Sequence, residues 1–231
     1  MKILVLSDLH ANNKVLDKLD SEFEKADAVI FAGDYAECFK PKTGLEALEK
    51  LCSKHDTIFS VLGNCDNIEF LEQLEERDVS VEKSFVFHEG LAFAGSGGGE
   101  YFTGKTEFER TQQELLSDFD IVKNSAQDGA DNSLWRSLIL ISHNPPKGEI
   151  VDKVNDELHP GSMLFTDFIR ENKPLAVICG HIHEGCGVEK IGDTLVINPG
   201  SIGEKGTYYW LDATKDDKGN WQLKETACSI K

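Results

Sequence analysis

Asp8 and His10, Asp34, Asn64, His143, and His181 with His183 are side chains that can donate oxygen or nitrogen to a divalent metal. Asp8/His10 and His181/His183 are i, i+2 pairs, and on extended chain that spacing puts both members on one side. Four of the chain's seven histidines fall at these positions. A mixed imidazole and carboxylate set suits Mn, Fe, Zn, Co or Ni better than Ca or Mg. Taken singly, an Asp-x-His or a Gly-Asp carries little information, since such a Gly-Asp is more often a turn and such a histidine more often structural. Jointly the residues supply enough ligands for two metals.

The same residues share a place in the chain. Ile3–Leu6 leads into Asp8 and His10, Ala28–Ala32 into Gly33-Asp34, and Ile58–Leu62 into Gly63-Asn64-Cys65-Asp66. Leu138–Ile141 leads into His143, Leu175–Cys179 into Gly180-His181-Ile182-His183, and Leu195–Ile197 into Asn198-Pro199-Gly200-Ser201. Apolar runs this short and rich in Val, Ile and Leu predict buried strands. Amphipathic segments lie between the early ones: Val15, Leu16, Leu19 and Phe23, then Leu45, Leu48 and Leu51, then Ile68, Leu71 and Leu74, all at helical spacing. Strands alternating with helices predict an α/β sheet, whose ligand sites lie beyond the carboxyl ends of the strands. Ser162 is the expected N-cap of a helix running to about Asn172, stopped by Pro174. Thr207–Leu211 and Trp221–Thr226 flank Asp217-Lys218-Gly219-Asn220, a hairpin signal. No repeat or linker breaks the chain, so residues 1–231 are expected to form a single domain.

The ordered set Asp8-x-His10, Gly33-Asp34, Gly63-Asn64-Cys65-Asp66, His143 and Gly180-His181-x-His183 resembles the calcineurin-like metallophosphoesterases, over a span from Asp8 to Ser201. The resemblance implies an α/β (α+β) fold: a four-layer α-β-β-α sandwich, two mixed β-sheets face to face with helices outside. It also implies a binuclear centre with Asp8, His10 and His183 on one metal, Asn64, His143 and His181 on the other, and Asp34 bridging them. The implied activity is hydrolysis of small phosphodiesters or phosphomonoesters by attack of a metal-bridging hydroxide, with manganese as the first choice of metal and Fe, Ni, Co or Zn as others. Candidate catalytic positions are Asn64, Cys65 and Asp66 of the third motif. Many relatives carry histidine where this chain has Cys65, and a thiol, with its ordinary pKa of about 8.5, is a poorer proton donor near neutrality. His159, in the stretch before the Ser162 cap, is the alternative donor. A second reading is a non-catalytic scaffold of the same fold, of the retromer type. All seven ligand positions carry competent side chains, which weighs against it.

Gly99–Thr106 also matches the pattern of a nucleotide-binding P-loop, and an apolar run, Leu91–Ala94, precedes it. Four residues, Gly95–Gly98, separate that run from the first pattern glycine, Glu100 would put a carboxylate among the phosphate-binding amides, and the later strands end in histidine. The better expectation is a glycine-rich loop beside the metal site, with Tyr101 or Phe102 lining the cleft.

With 24 Lys and Arg against 41 Asp and Glu in 231 residues, the formal charge is −17. Nucleic-acid polymers and anionic membranes are both held through Lys and Arg, so neither is an expected partner. The start of the chain, where Asp8 cuts off the first apolar run, does not read as a signal peptide. The six scattered cysteines, with no Cys-x-x-Cys pair, read as reduced thiols in a cytoplasmic protein. Self-association is left open.

Overall fold

The computed structural model describes residues 1–102, 104–127 and 133–230. Thirteen strands are present among them: β1 (Lys2–Leu6), β2 (Ala28–Phe31), β3 (Ile58–Ser60), β4 (Phe85–His88), β5 (Leu91–Ser96), β6 (Gly99–Glu100), β7 (Glu109–Arg110), β8 (Leu138–Ser142), β9 (Ala176–Cys179), β10 (Gly187–Ile191), β11 (Thr194–Asn198), β12 (Thr207–Lys215) and β13 (Trp221–Ser229). One mixed sheet has the order β13-β12-β1-β2-β3 and a second the order β10-β11-β9-β8-β5-β4. In the first, β1, β2 and β3 run parallel, β12 runs antiparallel to β1, and β13 antiparallel to β12. In the second, β5, β8, β9 and β11 run parallel and the outer strands β4 and β10 are antiparallel.

The uninterrupted apolar runs follow from burial on both faces. Along β1, Ile3 and Val5 enter one core while Leu4 and Leu6 enter another, and the same alternation holds along β2, β8 and β9. Ile3, Val5, Ala28 and Ile30 meet Phe93, Ile139, Ile141 and Ile178 of the second sheet, so the sheets pack face to face. The outer face of the first sheet packs on Leu16 and Leu19, on Phe23 of α1 (Asp20–Phe23), on Leu48 and Leu51 of α2 (Gly44–Cys52), and on Leu74 of α3 (Leu71–Glu76). Beyond the second sheet lie α4 (Gln112–Ser117), α5 (Asp120–Gln127) and α6 (Met163–Asn172), and its outer face packs on Val122, Phe165, Phe168 and Ile169 of the last two. Three apolar interfaces separate four layers, the expected α-β-β-α sandwich. Each buried Leu, Ile, Val or Phe contributes roughly 1.5–3 kcal/mol.

Local signals account for several element ends. Ser162 Oγ accepts the Phe165 N–H at 3.2 Å, and Lys173, in the left-handed region at φ 53°, closes α6 before Pro174. The C-terminal hairpin pairs Thr207 with Ser229 through Lys215 with Trp221, longer than the strands expected. The first amphipathic segment differs from a regular α-helix. Asn13–Leu19 is a 3₁₀ helix, and only Asp20–Phe23 is α-helical. Asn12, at its start, donates its side-chain amide to the Gly203 carbonyl and caps nothing. Ile68–Phe70 is likewise a 3₁₀ turn, leading into α3. Among the described residues no helix is long and apolar enough to cross a membrane.

Candidate metal centre

Six strands of the two sheets, β1, β2, β3, β5, β8 and β9, send their carboxyl ends to one edge of the sandwich. Backbone bonds stitch the loops there: Asp8 N–H to Gly33 O, His10 N–H to Asp34 O, and Gly180 N–H to His143 O, all at 2.9–3.1 Å. The His181 N–H reaches the Asp8 carboxylate at 3.2 Å, tying the second sheet to the first. Ten described non-glycine residues adopt positive φ, and four of them are Asp8, His10, Asp34 and His181. Such conformations cost of order 1–3 kcal/mol each and persist where surrounding bonds over-determine them. Gly33, at φ 96°, has no room for a Cβ, which would stand 2.7 Å from His143 Nδ1.

The seven predicted ligands are brought together. Asp8, His10 and His183 offer atoms within 4.8 Å of one another, as do Asp8, Asp34 and His143. His183 Nε2 is 3.2 Å from Asp8 Oδ1 and 3.1 Å from His10 Nε2. His143 Nε2 is 2.9 Å from Asn64 Oδ1. Asp34 Oδ2 stands between the two groups, 3.7 Å from His10 Nε2 and 3.4 Å from His143 Nε2. The His181 ring lies 5.2 Å from that of His143. Asp8 and His143 are fully buried, and Asp34 and Asn64 nearly so.

Outer partners fix the tautomers. A carbonyl can only accept, so Nδ1 of His143 carries a hydrogen toward Ala32 O at 2.7 Å, and Nδ1 of His10 carries one toward Ala36 O at 3.2 Å. His183 Nδ1 donates to Glu204 at 3.0 Å. In their neutral form, all three rings therefore turn the Nε2 lone pair inward. The inner pair, His10 Nε2 with His183 Nε2, then sets acceptor against acceptor beside buried carboxylates, a contact that positive charge reconciles, as bound cations or as protons on the rings. His143 Nε2 meets the Asn64 side-chain amide on the other side.

The electrostatics agree. Burial would lower His143, but Asp34 and Asp8 raise its pKa to about 9. Burial likewise opposes His183, but Asp8 and Glu204 lift it to about 9. Burial and the neighbouring His143 push His181 down to about 4. Burial works against ionised Asp8 and Asp34, yet the histidines around them hold both below the ordinary carboxylate range.

The other candidates have different surroundings. Asp66 is fully buried and faces inward to backbone. Its Oδ2 accepts the N–H groups of Asp34, Tyr35 and Gly63 at 2.8–3.2 Å, and its Oδ1 that of Ala36 at 2.8 Å. Burial and Asp34 raise Asp66 to about 7 against these four donors. It is a positioning residue. His159 Nδ1 pairs with the buried Asp152 carboxylate at 3.1 Å, outside the ligand groups just described. The expectation of six reduced thiols is corrected: Cys38 and Cys65 form a disulfide, while Cys52, Cys179, Cys186 and Cys228 remain thiols. Parallel pairing of β2 with β3 delivers the two following loops side by side. So paired, Cys65 has no proton to donate.

The Gly99–Thr106 loop is anchored at the centre, where a Cβ on Gly99 would stand 3.0 Å from Asn64 Cβ and 3.5 Å from His181 Cε1. Thr103 of this stretch lies outside the described residues. The backbone N–H groups of Phe102, Gly104, Lys105 and Thr106 do form an anion cradle, but its occupant is the Glu109 carboxylate at 2.7–3.1 Å. Burial opposes that carboxylate's charge, and the donated N–H bonds outweigh it, holding Glu109 at about 2. Glu100 instead accepts from Gln112 at 2.6 Å.

The family model for calcineurin-like phosphoesterases matches residues 1–185, and the chain belongs to that family. An uncharacterized protein of Methanocaldococcus jannaschii, MJ1162, is 31% identical over 224 residues, which is 94% of each chain. The crystal structure of TT1561 of Thermus thermophilus superposes with a TM-score of 0.72 at 17% identity, over 100% of this chain and 99% of that one. A 5′-nucleotidase from Candida albicans superposes with a TM-score of 0.60 at 12% identity, over 100% of this chain and 51% of that one. At these identities the structural likenesses show the fold alone.

Proposed function

We propose that this chain is a two-metal phosphoesterase acting on small phosphodiesters or phosphomonoesters. The observation that carries the reading is the convergence of His10 and His183, acceptor against acceptor, on one side of Asp34 Oδ2 and of His143 and Asn64 on the other. Asp8, His10 and His183 would hold one divalent ion, Asn64, His143 and His181 the other, and Asp34 both. When bound, such an ion pair supplies Lewis acidity toward the phosphoryl oxygens and an activated water.

The chain's own residues do the rest. Asp34 Oδ1 accepts the Cys65 N–H at 2.8 Å, which leaves Oδ2 to face the centre. The ionised Asp8 and Asp34 balance the incoming charge. Tyr101 and Phe102 are 61% and 80% exposed on the loop anchored by Gly99, and in this reading they would meet the organic part of a substrate. His159, steadied by Asp152, carries the proton for the leaving group in this reading. Manganese is the first choice of metal, with iron, nickel, cobalt and zinc compatible with the same donors. The charge of −17 favours a small phosphoester over a polyanion, and the cytoplasm is the proposed location.

The test is hydrolysis of bis(4-nitrophenyl) phosphate and a panel of cyclic nucleotides, dinucleoside phosphates and monoesters by chelator-treated protein. Each of Mn²⁺, Ni²⁺, Co²⁺ and Zn²⁺ is then added back. Metal-stimulated turnover is expected, and its absence with every metal would overturn the reading.

A further inference from the structure

The disulfide is not remote from the centre. The sulfurs of Cys38 and Cys65, a ring nitrogen of His10 and a carboxylate oxygen of Asp34 all lie within 4.8 Å of one another. The two Cα atoms are 4.7 Å apart, across 27 residues of sequence. Firm backbone carries three of the four groups: Asp66 clamps residues 34–36 and Gly63, Cys65 N–H is bonded to Asp34 Oδ1, and His10 Nδ1 is bonded to Ala36 O. Cys65 is 1% exposed, whereas Cys38 is only half-buried.

A tetrahedral zinc ion takes thiolate sulfur at about 2.3 Å and imidazole nitrogen or carboxylate oxygen at about 2.0–2.2 Å. These lengths place neighbouring ligand atoms roughly 3.3–3.8 Å apart, inside the spread found here. Two thiolates, an imidazole and a carboxylate form a softer set than the oxygen- and nitrogen-rich phosphoesterase centre, and thiolates select zinc over manganese.

We propose that reduction of the Cys38–Cys65 bond creates a zinc site in which both thiolates join His10 and Asp34. The reductant is a dithiol. One of its thiolates attacks the sulfur of Cys38, the less buried of the pair, the Cys38–Cys65 bond breaks, and Cys65 leaves as thiolate. The second thiol of the reductant then attacks the mixed disulfide, releasing Cys38 and closing the reductant's own disulfide. The chain gains two electrons and two protons, and zinc displaces those protons from the sulfurs on binding. His10 and Asp34 are also ligands in the proposed phosphoesterase centre, so the zinc site and the ion pair exclude each other. That exclusion rests on the functional reading, whereas the existence of the zinc site does not. A disulfide that opens and closes in a reducing compartment is the form in which cytosolic disulfides usually function.

The test uses Co²⁺ as a spectroscopic substitute for zinc, added to the metal-free full chain before and after reduction and removal of the reductant. The reduced protein is expected to develop a near-ultraviolet thiolate-to-cobalt charge-transfer band with intense tetrahedral visible bands, abolished by excess Zn²⁺. The oxidised protein should show no charge-transfer band. Cys38→Ser and Cys65→Ser should each lose the band on reduction, while Cys52→Ser and Cys186→Ser retain it. No band in the reduced wild type, or a band that survives both Cys38→Ser and Cys65→Ser, would overturn the proposal. The oxidised-against-reduced comparison needs no variant to fold. Mn²⁺-stimulated turnover of the oxidised protein reports separately on the phosphoesterase reading.

Discussion

The carboxylate of Asp66 accepts the backbone N–H of Asp34 at 3.0 Å, and so sets the conformation of the residue at the middle of the centre. Asp34 sits at φ 60°, in the left-handed region, where the surrounding bonds hold it.

Replacing Asp66 therefore has a calculable effect. Asp66→Ala leaves four buried N–H groups without an acceptor, each costing about 1–3 kcal/mol. Asp66→Asn keeps one acceptor oxygen but turns an NH₂ group toward a backbone donor, for a loss of about 1–3 kcal/mol. Thermal unfolding should show both losses, the alanine variant's the larger, together with weaker metal binding in the asparagine variant.

Glu204 illustrates a gentler dependence. Its contact with His183 Nδ1 orients a ring whose Nε2 faces Asp8. Partners of this kind are worth about 10–100-fold in metal affinity, and an exposed one belongs at the lower end. Glu204→Gln should weaken metal binding by about tenfold, as measured by calorimetry, with only a small drop in unfolding temperature of the metal-free protein at neutral pH, where His183 is charged.

Metal binding should also release protons. His143 and His183 are each raised to about 9 in the metal-free chain, so both are charged at pH 7 and must give up Nε2–H before ligating. Apparent affinity is expected to rise as pH climbs from 7 to 9. Calorimetry in buffers of different ionisation enthalpy should find about two protons released at pH 7 and nearly none well above pH 9. The same shifts make the metal-free fold lose stability between the unfolded histidine value of about 6.5 and the folded value of about 9, because raised histidines favour folding only while protonated.

The P-loop pattern gives a further check. Glu109 fills its cradle, so Lys105 has no bound phosphate to meet. Lys105→Ala should leave metal-stimulated turnover within about twofold of wild type, as expected of a surface substitution worth under about 0.5 kcal/mol.

The legible parts of this chain were those written as local pattern. Ile3 to Leu6 followed by Asp8 signals both a doubly buried strand and a group at its end, because adjacent residues carry both pieces of information. Asp66 was visible as a residue but not as a clamp, since its partners are backbone N–H groups some thirty residues earlier that have no sequence signature. The Cys38–Cys65 pairing was hidden for a related reason: it depends on β2 lying beside β3, a fact of topology rather than spacing. Val15, Leu16, Leu19 and Phe23 carry helical spacing, but that spacing does not separate the 3₁₀ helix at Asn13–Leu19 from a regular one, because Val15, Leu16 and Leu19 suit a three-residue period nearly as well as 3.6. The edge strand β4 went unseen because its half-exposed side chains carry no buried run.

In the proposed phosphoesterase, Asp34 bridges the two metals. Electron paramagnetic resonance of the oxidised, metal-free protein loaded with Mn²⁺ tests it most directly. About two ions per chain are expected, with an exchange-coupled spectrum, as for ions about 3.5–4 Å apart. Asp34→Asn should reduce that spectrum to the signal of isolated ions. A wild-type protein that shows only uncoupled Mn²⁺ at saturation, or coupling that survives Asp34→Asn unchanged, would contradict it.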